Sequence, residues 1–275
     1  MPLRQFYLIF LLIFCLAAGP ARSERLGVAI VHQGTIAMHG SAYQHDLARQ
    51  ALEKFYGDKI SVTTVENVQP NADGERVISS LARKGNSIIF ITSPGLEKMV
   101  AELAKKYADV YFEIADGSTE GDNISTFNGR FYEARYIVGQ IAARVTETGI
   151  IGYVAADMNA TTMRDLNAYT LGAQTVKPNI TVVMATSGET PAPEKEAHAA
   201  RDVIAQGADV LAFQTETPAP AQVAEQNGVK VFGNAADMSS FAPQTQITSV
   251  IHDWSGYYIK RVGAALEGKW TATYL

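Results

Sequence analysis

The sequence is poor in the features that announce chemistry. It has one cysteine, Cys15. No apolar run is followed by a Gly-x-Gly-x-x-Gly or Walker loop, so the usual signals for a dinucleotide or a nucleoside triphosphate are missing. A Gly-x-Ser-x-Gly nucleophile elbow is also absent. Positive charge is in deficit, with 23 Lys+Arg against 28 Asp+Glu, the wrong balance for a nucleic-acid-binding surface. Charge blocks, low-complexity segments and Pro-rich linkers do not occur.

The longest hydrophobic run lies at the N-terminus. Arg4 precedes the apolar stretch Phe6 to Gly19, and Ala21-Arg22-Ser23 supplies the small-x-small pattern that signal peptidase reads. A secretory signal over residues 1–23 is therefore expected, because the run falls short of the roughly 20 residues that span a bilayer. Phe14 stands directly before Cys15, where a lipoprotein signal needs a small residue, so lipidation is not expected. Cys15 would leave with the leader, and a thiol nucleophile with it. Residues 1–23 contain Arg4 and Arg22 and no acid, so the mature chain carries 21 Lys+Arg against 28 Asp+Glu, a net −7. Its 252 residues suffice for one large domain or two moderate ones. A cysteine-free mature chain suits the oxidising periplasm, which is the expected location.

What remains is rhythmic. Short β-branched runs at 26–32, 60–68, 87–93, 110–116 and 124–127 alternate with helices whose apolar stripes include Leu47, Ala51, Leu52 and Phe55, then Val77, Ile78, Leu81 and Ala82, then Met99, Val100, Leu103 and Ala104. The rhythm restarts at 149–156, 180–187, 209–217, 229–237 and 247–253, with helices over 162–176, 194–205 and 218–226. Strands apolar throughout and separated by helices predict parallel sheets covered on both faces, here in two similar α/β lobes. Between the halves, Thr126 to Val145 holds an Asn128-Gly129 turn and then a helical stripe of Phe131, Arg135, Val138 and Ala142. This stretch reads either as a crossover into a second sheet or as an ordinary strand-to-helix loop.

In open parallel sheets small ligands bind beyond the carboxyl ends of the strands, so the loops after strands carry the functional expectations. His32, His39 and His252 fall at such ends, as cleft donors or as solvated loop histidines; no His spacing signals a metal site. Asp116, Asp157, Glu216, Asp237 and Asp253 lie at or just past strand ends, where they suit ligand hydroxyl or amine groups. Each also suits a turn or an N-cap. Five acids at equivalent edges favour a polar cleft.

Longer stretches carry a resemblance. The segments Ala51 to Ser93, Asn128 to Ala142, Gly152 to Ala156, Asn167 to Pro178, Gln206 to Gly233 and Ala236 to Val262 are similar to the basic membrane protein family of ABC-transporter solute-binding proteins, over about Leu26 to Trp270. The resemblance implies a type I periplasmic-binding-protein fold: two lobes, each a parallel sheet flanked by helices, closing on a ligand in the cleft between them. It implies delivery to an inner-membrane ABC permease and a purine nucleoside or base as ligand. Several of the family's loop residues are replaced, with Met38 for an acid, Ser41 for an aromatic, Ala42 for an amide, and Pro94 and Asp157 for aromatics. The family's Asp in the Gln-Thr-Asp motif is Glu216, while Asp237 and Trp254 are kept.

The expectations are then as follows. Residues 24–127 and 250–275 form the N-terminal lobe and 128–249 the C-terminal lobe, with the family's final C-terminal segment missing. Ser41, Ser93, Arg130, Asp157, Glu216, Asp237 and Trp254 contact the ligand. The protein is a monomeric binding protein, not an enzyme, with no cofactor, metal or nucleic acid. Alternatives are a periplasmic sensing module that feeds a membrane receptor, or a binder of a non-purine solute.

Overall fold

The computed structural model describes residues 25–274; the expected leader lies outside them. The first half runs β1 (Leu26–Val31), α1 (Gly40–Tyr56), β2 (Ile60–Val65), α2 (Ala72–Arg83), β3 (Asn86–Ile91), α3 (Glu97–Lys106), β4 (Tyr111–Ala115) and β5 (Ile124–Phe127). The chain continues with α4 (Phe131–Val145), β6 (Ile150–Ala155), α5 (Ala160–Gln174), β7 (Thr181–Thr186), α6 (Pro193–Ala205), β8 (Val210–Gln214), α7 (Ala219–Asn227), β9 (Lys230–Ala235), β10 (Gln246–Ile251) and α8 (Ser255–Leu266).

Local chemistry sets the boundaries. Asn71 caps α2, its Oδ1 accepting the Asp73 and Gly74 amides at 3.0 and 3.1 Å, and Asn159 caps α5 through the Thr162 amide at 3.0 Å. α7 ends at Gly228, whose φ of 65° lies in the left-handed region that a helix C-cap uses.

All ten strands pair in parallel, in two five-stranded sheets. The orders are β2-β1-β3-β4-β5 and, read from the other edge, β7-β6-β8-β9-β10. The second sheet therefore repeats the topology of the first, strand for strand. Strands buried on both faces explain the unbroken apolar runs, such as Val28–Val31 and Ile88–Ile91, all 0 % exposed. Together these features give the two-lobed type I periplasmic-binding-protein fold.

Each half lends the other a helix. α4 follows β5 of the first sheet, yet Val138, Ala142 and Ala143 pack in the second-lobe core with Tyr153, Tyr169 and Phe232. α8 follows β10 of the second sheet, yet Tyr258 and Val262 pack in the first-lobe core with Ile30, Phe90 and Phe127. The two junctions are built differently. α4 and α5 meet backbone to backbone: a Cβ on Gly139 would strike the Tyr169 carbonyl oxygen, and one on Gly172 that of Tyr136. α8 meets α1 through side chains, and a Cβ on Gly263 would reach only the Tyr56 hydroxyl.

A buried ion pair fastens α8. Glu113 in β4 accepts from Arg261 Nε at 2.5 Å, Trp270 Nε1 at 2.6 Å and Tyr257 hydroxyl at 2.6 Å. Arg261 Nη2 also donates to Ser125 Oγ at 2.7 Å and the Thr271 carbonyl at 2.8 Å. Every contact of the carboxylate is a donor, so the network is complete. Among the described residues no helix is long and apolar enough to cross a membrane.

Candidate functional site

The loops at the carboxyl ends of both sheets face a cleft of about 820 Å³. Its wall comes from both lobes: Gln33, Asn67, Ser93 and Asp116 from the first, Arg164, Asp165, Gln214 and Asn234 from the second. Asn128, Phe131, His252 and Trp254 line it where the chain crosses between lobes.

The floor is aromatic. Phe131 stacks on His252 with centroids 3.5 Å apart and planes at 11°, and Trp254 meets Phe131 edge-on at 5.4 Å. Behind them His45 lies parallel to Trp254 at 5.3 Å and holds the Tyr258 hydroxyl at 2.9 Å through Nδ1. Burial makes protonation of these imidazoles costly: it lowers His252 to about 3 and His32 to about 4, and pushes His45 well below the ordinary value. Trp254 Nε1 and His252 Nε2 are buried with no hydrogen-bond partner among the described residues. Gly129 makes room for Phe131, because a Cβ there would strike the Phe131 ring.

The walls are polar and charged. Asp116 ends β4 with φ 54°, its amide donating to the Phe127 carbonyl at 2.8 Å. Asp116 is exposed within the cleft, yet neighbouring protein still desolvates its carboxyl and pushes it up to about 6, with Arg164 opposing and Asp165 and Glu216 adding. Arg164 Nε donates to Asp165 at 3.3 Å, and its guanidinium lies 4.9 Å from the Tyr132 ring centre. Behind this wall Arg135 is buried in α4. Its Nη2 donates to Asn234 Oδ1, whose amide nitrogen donates to the Thr215 carbonyl at 2.9 Å. Arg135 Nε and Nη1 have no partner among the described residues, and the Asp165 carboxylate is 4.0 Å away.

The seven predicted contact residues divide. Ser41, Ser93, Glu216 and Trp254 line the cleft. Ser93 does so indirectly, since its hydroxyl donates to Gln33 Oε1 at 2.6 Å and accepts the Gly95 amide at 3.2 Å. Ser41 and Glu216 are bonded to one another. Arg130, Asp157 and Asp237 do not line the cleft. Arg130 is exposed and paired with Glu133 at 2.5 Å. Asp157 accepts the Asn159 amide at 3.2 Å as a turn residue before α5. Asp237 accepts from Ser239 and from Gln246 Nε2 at 2.7 Å, and these donors hold its carboxyl below the ordinary value. For both acids the turn role, open from the sequence, is the one the geometry gives.

Arg164, Asp165 and Asn234 are cleft residues that the sequence did not single out. Arg164 and Asp165 lie in the second turn of α5, and Asn234 lies near the end of β9, where the strand passes into the loop after it. Asn234 was legible in principle, as a buried amide within an otherwise apolar strand. Among the described residues no group of three or more His, Cys, Asp or Glu side chains is placed to hold a metal ion.

A purine-binding protein of Brucella abortus is 42% identical over 257 residues, covering 94% of this chain and 73% of the relative. A putative ABC transporter glucose-binding protein of Haloferax volcanii is 34% identical over 254 residues, covering 92% and 64%. The structure of an ABC transporter solute-binding protein from Conexibacter woesei superposes with a TM-score of 0.76 at 18% identity, covering 91% and 84%, which speaks to the fold. Across residues 26–273 the chain matches the family of ABC transporter substrate-binding proteins described as PnrA-like, and it belongs to that family of solute-binding proteins.

Proposed function

We propose that this protein captures a purine base or nucleoside in the interlobe cleft and presents it to an ABC permease. The observation that carries the reading is the 42% identity with the Brucella abortus purine-binding protein over 94% of the chain. The cleft is consistent with it in chemistry. A flat heterocycle has rings to pack against in Phe131, His252 and Trp254, whose geometry is worth about 0.5–1.5 kcal/mol per aromatic pair beyond the area buried. Its polar edge has Asp116, Gln33, Gln214 and Asn234 for hydrogen bonds.

Asp116 titrates at about 6, so at neutral pH it accepts from a ligand N–H or O–H. Ser93 acts by orienting Gln33, and Trp254 offers its free Nε1–H. The remaining expectations belong to the same reading. Residues 1–23 are a cleaved signal without lipid, the mature protein is a periplasmic monomer, and its work is binding rather than catalysis. Because β10 keeps the chain in the second sheet to Ile251, we place the return to the first lobe at His252.

A second reading, a sugar as solute, is favoured by the 34% identity with the putative glucose-binding protein of Haloferax volcanii. Isothermal titration of the purified protein with adenine, hypoxanthine, adenosine and glucose decides between them. Saturable binding of a purine is the expected result. Binding of glucose alone would overturn the purine reading.

A further inference from the structure

The N-terminus of α1 assigns Glu216 a task other than touching solute. α1 is a seventeen-residue helix without a cap of its own: His39 at the capping position makes no side-chain bond to the first turn, and that turn holds no acid. Its free N–H groups carry partial positive charge. The carboxylate that meets one of them comes from the other lobe. Glu216 Oε2 accepts from the Ser41 amide at 2.7 Å and from Ser41 Oγ at 3.0 Å, and His39 Nδ1 donates to the Glu216 carbonyl at 3.0 Å.

The surroundings fit this contact. Gly40 has φ 77°, and a Cβ there would stand 2.6 Å from Glu216 Oε2 and 2.9 Å from the Glu216 carbonyl oxygen. The His39 ring meets Phe241 edge-on at 6.0 Å, and Tyr43 packs against the second-lobe core. The loop that carries Glu216 is itself fixed. Buried Glu196 accepts from the Thr217 hydroxyl at 2.6 Å, the Thr190 hydroxyl at 2.8 Å and the Ala192 amide at 3.0 Å. The Glu216 amide donates to Thr190 Oγ1 at 2.9 Å.

We propose that Glu216 is the closure residue of this protein, a carboxylate on the second lobe that caps α1 of the first and draws the lobes together across the cleft. Ligand affinity then depends on Glu216 through the closed fraction, since an apparent dissociation constant is the intrinsic one divided by that fraction. Loss of a closure residue weakens every ligand by one common factor, whereas loss of a contact residue discriminates among them.

The test uses Glu216→Ala and Gly40→Ala, one from each lobe; Gly40 does not line the cleft. Small-angle scattering of the ligand-free protein needs no knowledge of the solute. Both variants should show a larger radius of gyration than the parent, and an unchanged radius in both overturns the proposal. If Gly40→Ala does not fold, Ser41→Ala should open the protein in the same direction, and failure to do so counts equally against it.

The affinity arm rests on the purine reading. Titration with adenine and with adenosine should show about a tenfold loss in each variant, the size of one charge-assisted hydrogen bond, and the same loss for both ligands. A loss confined to one ligand, or confined to Glu216→Ala, assigns the carboxylate to the solute and overturns the proposal. If the parent binds neither ligand, the purine reading falls and the scattering result still decides the closure role.

Discussion

The two lobes solve one packing problem in two ways. In each, the fourth strand of the sheet meets an arginine on the helix that the other half has lent. In the first lobe this is Glu113 of β4 with Arg261 of α8, a carboxylate with three donors and a guanidinium with a carboxylate, a hydroxyl and a carbonyl. In the second it is Asn234 of β9 with Arg135 of α4, where a neutral amide takes one nitrogen and two others have no partner among the described residues. The satisfied pair is absent from the cleft lining, and the unsatisfied one stands directly behind it through Asn234 and Asp165. Complete polar satisfaction thus goes with the pair away from the cleft, and spare hydrogen-bonding capacity sits next to the cleft in which we propose that solute binds.

The comparison can be broken most forcefully at the ion pair. Arg261→Met leaves Glu113 buried without a counter-charge and should cost about 3–5 kcal/mol of stability in urea titration. Arg135→Met removes a cation that is only partly paired and leaves one amide oxygen unmet. It should cost about 1–3 kcal/mol. Equal losses would show that the two pairs do the same work.

The glycines sharpen the contrast between the helix junctions. Gly172→Ala sets a Cβ against the Tyr136 backbone and should cost about 1–3 kcal/mol through the displacement of α5 from α4. Gly263→Ala meets only a tyrosine hydroxyl at 2.5 Å, which can swing aside, so a smaller change in melting temperature is expected.

The remaining lever is pH, which acts through the buried histidines. The folded chain holds His252 at about 3 and His32 at about 4, while the unfolded chain protonates them near 6.5. Below 6.5 the unfolded state therefore binds more protons, and stability falls as pH falls toward 4. Asp116 acts in the opposite sense: its pKa is raised to about 6, so its contribution is greatest at low pH and is lost as pH rises through 6. A lower melting temperature at pH 5 than at pH 7 is expected. His252→Asn should narrow that gap, and an unchanged gap would place the acid sensitivity elsewhere.

Much of the fold was legible because both signals that encode it are local. β-branched runs and 3.6-residue stripes placed all ten strands to within three residues at either end, and the repeat of the pattern revealed two lobes. The cleft was less legible. A strand end fixes the edge at which a residue sits and not the direction in which its side chain points, so Asp157 and Asp237, at the right edge, turned out to serve their own turns. Ser41 and Glu216 line the cleft, but their mutual bond spans 175 residues and leaves no trace in local pattern. The resemblance made the loops look short of rings. The rings that line the cleft lie at the crossovers instead, as Phe131, His252 and Trp254; of these Phe131 reads in the sequence only as part of a helical stripe.

The lending of α8 to the first lobe also bears on the order in which the chain can become solid. The first-lobe core draws on Trp254, Tyr258, Val262 and Trp270, more than 120 residues beyond β5. A nascent or translocating chain that has delivered the whole first sheet still lacks one wall of that core, and must carry exposed apolar surface until the second lobe has emerged. The second lobe has no such wait, because α4 precedes its strands. The half that appears first is the half that finishes last.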